Sequence, residues 1–379
     1  MTEKKIEIKR GLRDVYIDKT ESSFIDGENA KLLYRGYDIH DLALKSTFEE
    51  TSFLLLYGCL PTEDQLEEFD HTLKVNRHLP DEILEIIKLV ANAHPMDVLR
   101  TGISSLAAYD AGVKDNSPEA TLKKGIRLTA QAPTIVAAHA RIRDGKQPIP
   151  PNSDLGHAAN FLYMLFGEEP DVEDAKLLDR DFVLHAEHGV NASAFAARVV
   201  ASTQADLHSA LTTGVAALKG PSHGGAAEEV MKMALEIGSE ENAESYVRNL
   251  ISKGGRVMGF GHRVYRAGDP RAVHLLEGAR DLSLRKGEPK WFEILQGVIR
   301  AMAPYSKKGI CQNVDFFTGA IYYLLGIPDS LFISIFAMGR VPGWTLQVME
   351  QFDNNILLRP RLEYVGPKDL EYIPVDRRS

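Results

Sequence analysis

The chain has 379 residues, 44% of them hydrophobic, which is enough for a large buried core in one or two packed units. Its 44 Lys and Arg against 53 Asp and Glu give a net charge of −9, which argues against a uniformly basic nucleic-acid-binding surface and requires a local basic pocket for any anionic ligand. Two cysteines, Cys59 and Cys311, are too few for a disulfide framework and favour a cytoplasmic protein. Segment 1–10 is charged throughout and no long apolar run occurs in the chain, so neither export nor membrane insertion is predicted.

The first 40 residues differ in pattern from the rest of the chain. Short apolar stretches at 15–17 and 31–34 lie on either side of the turn-forming segment 26–29 (Asp-Gly-Glu-Asn), which predicts a small β-hairpin. Segments 46–50 and 62–65 both resemble capping boxes, and each precedes apolar residues at helical spacing. A helix is predicted to begin at each of these two segments.

Apolar residues at three- and four-residue spacing continue to the end of the chain, with Pro or Gly between most stretches. Helices are predicted near 82–93, 97–111, 118–143, 154–166, 172–187, 192–200, 204–218, 225–237, 241–253, 270–285, 289–304, 314–325 and 330–350. The polar segment 145–154 is the best loop candidate and by itself would suggest a domain boundary. The sequence therefore predicts a mostly α, multi-helical protein in which helices pack on helices.

His223 lies in a glycine-rich segment, 220–225 (Gly-Pro-Ser-His-Gly-Gly), just before a predicted helix. A histidine at the positive end of a helix tends to stay neutral, and a neutral imidazole can donate one N–H to a carbonyl as an enolate forms. The alternative, which is the more common one for such a loop taken alone, is a histidine that only satisfies backbone groups.

His262 follows Gly259 and Gly261, a spacing that resembles a nucleotide-binding loop only weakly, because Val264 stands where a third glycine is needed. The glycines instead suggest a backbone that approaches a ligand closely.

Three arginines, Arg263, Arg266 and Arg271, lie in and just after this glycine segment. They predict a carboxylate or phosphate ligand, because arginine binds such groups through two parallel hydrogen bonds. A solvated basic face is the alternative for any one of them.

Asp315 stands at the start of an apolar run that extends to Leu325. A carboxylate in such surroundings should have a raised pKa and accept a proton more readily, which suits a catalytic base, although helix capping is the commoner role. Together with His223 and His262, Asp315 provides the minimum needed to join two carbonyl compounds through carbon: two donors to carbonyl oxygens and one base.

His185 and His188 are three residues apart at the end of a predicted helix, and if both lay on one helical face they could bind a metal. Because the segment lacks the glutamate directly after the first histidine of an H-E-x-x-H motif, a metal-dependent hydrolase is a minor alternative. Arg340 and Arg359 are isolated, and their default interpretation is surface solvation.

Several ordered segments together resemble the citrate synthase family nearly from end to end. They are 11–15 (Gly-Leu-Arg-Asp-Val), 34–37, 94–96, 185–193, 220–228, 259–271, 313–316 and 359–366. The resemblance implies an almost wholly helical homodimer with a large domain, residues 1–224 and 327–379, and a small domain, residues 225–326, that closes over the substrates.

The resemblance also implies roles for the matching residues. Asp315 would take a proton from the acetyl-CoA methyl group, and His223 would donate a hydrogen bond to the thioester oxygen. His262 would polarise and protonate the ketone of oxaloacetate. The product would be citryl-CoA, which is then hydrolysed to citrate and CoA. No metal or other cofactor is implied, since acetyl-CoA is a substrate, and neither nucleic acid nor membrane is an expected partner. The other matches are His188, Arg271 and Arg340 for oxaloacetate or citrate, Arg359 from the neighbouring subunit, and Arg266 and Lys308 for CoA phosphates.

Pro342 departs from the family's pattern, and we expect it to kink its helix and shift Arg340. The nearest alternative function is 2-methylcitrate synthase, which uses propionyl-CoA and the same catalytic groups, because one methylene contributes only about 1–3 kcal/mol of discrimination. A helical dimer that binds acyl-CoA without catalysis is a further alternative, and the presence of all three proposed catalytic residues argues against it.

Overall fold

A computed structural model describes residues 7–12 and 14–378. Most of the charged segment 1–10 and Arg13 of the first family-like motif lie outside the described residues.

A small antiparallel sheet comes first, made of β1 (Ser23–Asp26), β2 (Lys31–Tyr34) and β3 (Tyr37–Asp38) in that order. β1 and β2 form the predicted hairpin, with Ser23 opposite Tyr34 and Asp26 opposite Lys31. The predicted first strand was wrong, because residues 15–17 are irregular and the strand that pairs with β2 lies directly before the tight turn.

Sixteen α-helices make up most of the described chain. The first eight are α1 (Ile39–Lys45), α2 (Phe48–Tyr57), α3 (Glu63–Val75), α4 (Asp81–Leu89), α5 (Pro95–Leu106), α6 (Pro118–Arg143), α7 (His157–Phe166) and α8 (Val172–His185). The others are α9 (Ala192–Ser202), α10 (Leu207–Leu218), α11 (Ala226–Ile237), α12 (Ala243–Ser252), α13 (Ala272–Arg285), α14 (Pro289–Ser306), α15 (Asp315–Leu324) and α16 (Phe332–Asp353). The mostly α, multi-helical fold is confirmed, and α1 is the one helix of this set that the sequence pattern did not predict.

Side-chain caps start the two helices that the capping boxes predicted. Thr47 accepts the backbone N–H of Glu50 at 3.2 Å and begins α2. Thr62 and Gln65 bond to each other's backbone N–H, at 3.3 and 2.9 Å, and begin α3. Each of these bonds satisfies an N–H that has no partner within the helix, so both predicted starts are confirmed.

α16 runs through the core and packs on α2, α6, α8, α9 and α10. Buried residues occur all around this helix, as expected for one surrounded by other helices. Its backbone stays helical through Pro342, so Pro342 does not end the helix, and the Arg340 side chain is buried in the core. Close packing on every side keeps the helix continuous although Pro342 offers no backbone N–H.

The segment between α6 and α7 is irregular, which confirms the predicted loop at 145–154. α6 and α7 pack on each other and contribute to the same apolar core, so this loop does not separate two independently packed units. Among the described residues, no helix combines the length and apolar character needed to cross a bilayer.

Candidate active site

The segments before α13 and α15 are held together by backbone contacts, which place the residues just before His262 against those just before Asp315. In residues 259–261 and 311–313, Gly261 N–H donates to Cys311 O at 2.8 Å and Asn313 N–H donates to Gly259 O at 2.9 Å. Gly259 has a φ of +76°, and a Cβ there would lie 2.7 Å from the Phe316 ring. Only glycine fits at this crossing, so Gly259 allows a close approach to α15, whereas the approach to a ligand that the sequence suggested stays a prediction.

His223 lies in the turn between α10 and α11, half-buried, with its ring against the start of α9. Its Nε2 accepts the backbone N–H of Ser193 at 3.3 Å and lies 3.0 Å from Ser193 Oγ. Burial, and then the nearby Arg340, lower the pKa of His223 to about 4. The ring is therefore neutral at pH 7, as predicted, and because Nε2 accepts a hydrogen bond, the proton belongs on Nδ1.

Ser193 is fixed in turn by groups that the sequence reasoning did not single out. Its Oγ donates to Asn191 Oδ1 at 2.6 Å and accepts from Trp344 Nε1 at 3.1 Å. Asn191 also caps α9, and Ser193 and Trp344 are both fully buried. The only signal in the sequence was the capping pattern Asn191-Ala192-Ser193, which predicts a helix start but not a contact with His223.

His262 has the opposite arrangement of ring nitrogens. Its Nδ1 accepts the backbone N–H groups of Val264, at 3.1 Å, and Tyr265, at 3.2 Å. Burial, followed by the charge of Arg271, lowers the pKa of His262 to about 4. The neutral ring therefore carries its proton on Nε2, which leaves that N–H available as a donor.

His188 and Tyr265 lie beside His262. The ring centroids of His188 and His262 are 5.2 Å apart, and those of His262 and Tyr265 are 4.7 Å apart. His188 Nε2 lies 3.0 Å from the Tyr265 hydroxyl, and burial holds the pKa of His188 well below its usual value, with Arg271 adding to the effect. Tyr265 was missed by the sequence reasoning, because nothing local to it predicts a contact with His188.

Asp315 is the first residue of α15, and its own backbone N–H is accepted by Asn313 Oδ1 at 3.2 Å, whereas its carboxylate does not cap the helix. The capping alternative is therefore not what the structure shows. Burial raises the pKa of Asp315, an effect that His185 and Arg271 partly offset. This agrees with the predicted raised pKa of a carboxylate in apolar surroundings.

Arg271 and Arg340 are both buried, contrary to their alternative interpretation as solvated groups. Arg271 forms a bidentate pair with Asp269, with Nε and Nη2 at 2.9 and 2.8 Å from the two carboxylate oxygens, and Asp269 was also missed by the sequence reasoning. Arg340 donates from Nε to His185 O and lies over the Phe336 ring, and burial lowers its pKa to about 10 although Glu187 opposes the shift.

The remaining predicted arginines and lysine are exposed. Arg266 donates to His262 O at 3.0 Å, and a Cβ on Gly309 would lie 3.2 Å from Arg266 O, so Arg266 is a neighbour of the segment that carries Lys308. Arg359 lies in the extended chain after α16, and no hydrogen bond or ion pair among the described residues joins it to His188, Arg271 or Arg340.

His185 and His188 do not share a helical face, which corrects the geometry assumed for a metal site. α8 ends at His185, whose Nδ1 lies 2.9 Å from Asp181 O, whereas His188 lies beyond the helix and points to Tyr265. Among the described residues, no group of three or more His, Cys, Asp or Glu side chains is arranged to hold a metal ion.

Comparisons with known proteins agree on one family. The family described as "Citrate synthase, C-terminal domain" matches residues 11–361. The chain is 44% identical to citrate synthase 2 of Bacillus subtilis over 98% of its own length and 99% of that protein. It is 43% identical to a 2-methylcitrate synthase of Mycobacterium tuberculosis over 95% of its own length and 91% of that protein. A citrate synthase of Thermoplasma acidophilum, solved as a ternary complex with carboxymethyl coenzyme A and oxaloacetate, superposes with a TM-score of 0.92 at 32% identity, with 98% of this chain and 100% of that one covered. The chain is thus an enzyme of the citrate synthase family.

Proposed function

We propose that this enzyme condenses acetyl-CoA with oxaloacetate and water to give citrate and CoA. The observation that carries the proposal is the grouping of one carboxyl of raised pKa, Asp315, with two neutral histidines, His223 and His262, near two buried arginines. Such a set can remove a proton from carbon and stabilise the oxygen anions that develop.

In the first step, the Asp315 carboxylate takes a proton from the acetyl methyl group. The electron pair of the broken C–H bond forms the enol double bond, and the thioester oxygen accepts the Nδ1–H of His223. A raised pKa makes Asp315 a stronger base than an exposed aspartate, and a neutral His223 donates without a full positive charge.

In the second step, the enol carbon attacks the keto carbon of oxaloacetate. The keto oxygen accepts the Nε2–H of His262 and becomes the hydroxyl of citryl-CoA. Water then adds to the thioester carbon and the C–S bond breaks, so that the CoA sulfur takes one proton of the water and the new carboxyl of citrate releases the other. Asp315 gives up the proton taken from the methyl group, and His262 regains one, which restores both residues.

Charged groups around these three residues would bind the substrates. His188, Arg271 and Arg340 would hold the carboxylates of oxaloacetate or citrate, since buried arginine binds such anions strongly. Arg266 and Lys308 would contact CoA phosphates. No metal or other cofactor is part of the proposal.

We further infer a homodimer in the cytoplasm, with Arg359 of one subunit completing the site of the other. The exposed position of Arg359, in the extended chain after α16, supports this role. The proposed large domain, 1–224 and 327–379, and small domain, 225–326, would close over the substrates and exclude water during condensation.

A direct test is the release of CoA from acetyl-CoA in the presence and absence of oxaloacetate. We expect release that depends on both substrates and survives a strong chelator. The similarity to a 2-methylcitrate synthase makes propionyl-CoA the second candidate substrate. Values of kcat/KM for the two acyl-CoA substrates decide between them, and a strong preference for propionyl-CoA would overturn the choice of acetyl-CoA.

A further inference from the structure

The turn of the β1–β2 hairpin, residues 26–29, lies directly against the loop that carries His262. Gly27 O accepts the backbone N–H of Arg266 at 2.8 Å. A Cβ placed on Gly27 would lie 2.3 Å from Val264 O, which is shorter than real Cβ contacts. The turn and the loop therefore meet backbone to backbone, with no space for a side chain at Gly27.

The base of the same hairpin holds the segment that carries His188. Ser23 Oγ accepts the backbone N–H of Gly189 at 3.1 Å and donates to Glu187 Oε1 at 3.2 Å. The buried Tyr34 hydroxyl accepts the backbone N–H of Glu187 at 3.3 Å. Because Ser23 and Tyr34 are paired across the two strands, the hairpin links the His188 segment to the His262 loop.

The orientation of the His262 ring depends on the residue that meets Gly27. Val264 presents its carbonyl to Gly27 and donates its N–H to His262 Nδ1 at 3.1 Å. Tyr265, the next residue, donates its N–H to the same nitrogen and places its hydroxyl 3.0 Å from His188 Nε2. A displacement of the Val264 backbone would therefore turn the His262 ring and change its position relative to His188.

The turn itself is held rigidly by Asp26. Its Oδ1 accepts the backbone N–H groups of Glu28 and Asn29 at 3.0 and 3.1 Å, and its Oδ2 accepts from Asn29 Nδ2 at 2.7 Å. These contacts are local to an exposed turn, so changing them should leave the core of the protein intact.

We propose that the turn 26–29 is a positioning element for the condensation. Gly27 holds the His262 loop in place by backbone contact, so that His262 Nε2–H points at the keto oxygen of oxaloacetate. This inference rests on the proposed function. Gly27 and Asp26 are positioning residues that act through Val264 and touch no substrate.

The test compares Gly27→Ala with a matched control, Gly112→Ala. Gly27 does not have a positive φ, so alanine adds only contacts with Val264, at 2.3 Å to its O, 2.9 Å to its carbonyl C and 3.2 Å to its Cγ1. A Cβ on Gly112 would lie 3.6 Å from Asp110 Oδ1, which is an ordinary distance. We expect Gly27→Ala to lower kcat on the order of 10- to 100-fold, as misplacing a catalytic group typically does, while the control keeps the parent's kcat.

Two further readouts separate positioning from general damage. The KM for oxaloacetate should change much less than kcat in Gly27→Ala, because Arg271 and Arg340 do not contact the turn. The infrared C=O stretch of bound oxaloacetate should move toward its value in free solution, because a weaker hydrogen bond polarises the ketone less. A variant that loses kcat but leaves this stretch unchanged would contradict the inference.

A second pair of variants covers the case in which Gly27→Ala does not fold. Asp26→Ala should lower kcat in the same direction, and Asp26→Asn should restore it, because the amide oxygen still accepts the two backbone N–H groups. An active parent enzyme whose Gly27→Ala and Asp26→Ala variants keep kcat within about twofold contradicts this inference alone. A parent that does not release CoA from acetyl-CoA and oxaloacetate contradicts the proposed function and the inference with it.

Discussion

Glu187 is a buried carboxyl beside the candidate site, and its replacement by Gln should change how stability depends on pH. Its side chain is fully buried, and Oε1 accepts from Gln347 Nε2 at 2.9 Å. Oε2 has no hydrogen-bond partner among the described residues. Burial raises the pKa of Glu187 to about 7, although Arg340 and the bond from Gln347 oppose the shift.

The expected magnitude follows from the difference between the folded and unfolded pKa values. A rise from 4.5 to about 7 corresponds to about 3 kcal/mol of unfolding free energy. Between these pH values the folded protein binds a proton that the unfolded chain has released. The stabilisation is therefore complete below the unfolded pKa and is lost as the pH rises through the folded one.

Glu187→Gln has no proton to release and can still accept the bond from Gln347. The unfolding free energy of the variant minus that of the parent should therefore increase by about 3 kcal/mol between pH 4.5 and pH 8. Urea unfolding at one protein concentration, at several pH values across this range, measures the difference. Glu293→Gln, on the exposed face of α14, is the matched control and should show no such trend.

A difference in unfolding free energy that stays constant across this pH range would refute the reasoning. It would mean that Glu187 has the same pKa in the folded and unfolded chains, and that burial is fully offset by Arg340 and Gln347. A difference that decreases with pH would show a folded pKa below the unfolded one.

Three further predictions concern the roles proposed for the site. Asp315→Asn should nearly abolish turnover and leave oxaloacetate binding largely intact, as measured by kcat and calorimetry, because it removes the base and keeps the anion contacts; normal turnover would contradict its role. His223→Ala and His262→Ala should each lower kcat on the order of 10²- to 10³-fold, as loss of one oxyanion donor does, and full activity of either would remove it from the mechanism. Arg271→Ala should chiefly raise the KM for oxaloacetate, by roughly 10-fold or more, because a charge-assisted hydrogen bond contributes about 1.5–3 kcal/mol. The control Arg280→Ala, on the exposed part of α13, should not, and an unchanged KM in Arg271→Ala would count against its assignment.

Local patterns determined the helices. The long helix α6 spans Pro118–Arg143, as the apolar spacing predicted, and the starts of α2 and α3 follow from side chains that cap their own backbone. These features involve residues within four positions of one another, so a single sequence is sufficient to detect them. The apolar run after Asp315 likewise predicted the raised pKa of that carboxyl, because burial is its main cause.

Contacts between distant parts of the chain could not be predicted in this way. Local periodicity extended α8 to residue 187, past its observed end at His185, and the metal alternative wrongly assumed that His188 continued the same helical face. Helical spacing also gave no sign that Arg340 is buried or that the packing around α16 accommodates Pro342. Both outcomes depend on which helices surround α16, which is a property of the packed structure.

The sequence by itself determined the helical class, most helix boundaries, and the resemblance that singled out His223, His262 and Asp315. The tertiary structure decided which nitrogen of each histidine is free to donate, because the partner of His223 is Ser193 at the start of α9 and the partners of His262 are backbone groups of its own folded loop. It also decided that the N-terminal hairpin meets that loop at Gly27. Proton positions and ring orientations depend on hydrogen bonds formed only when the chain folds, and for that reason they follow from the packed structure rather than from residue spacing.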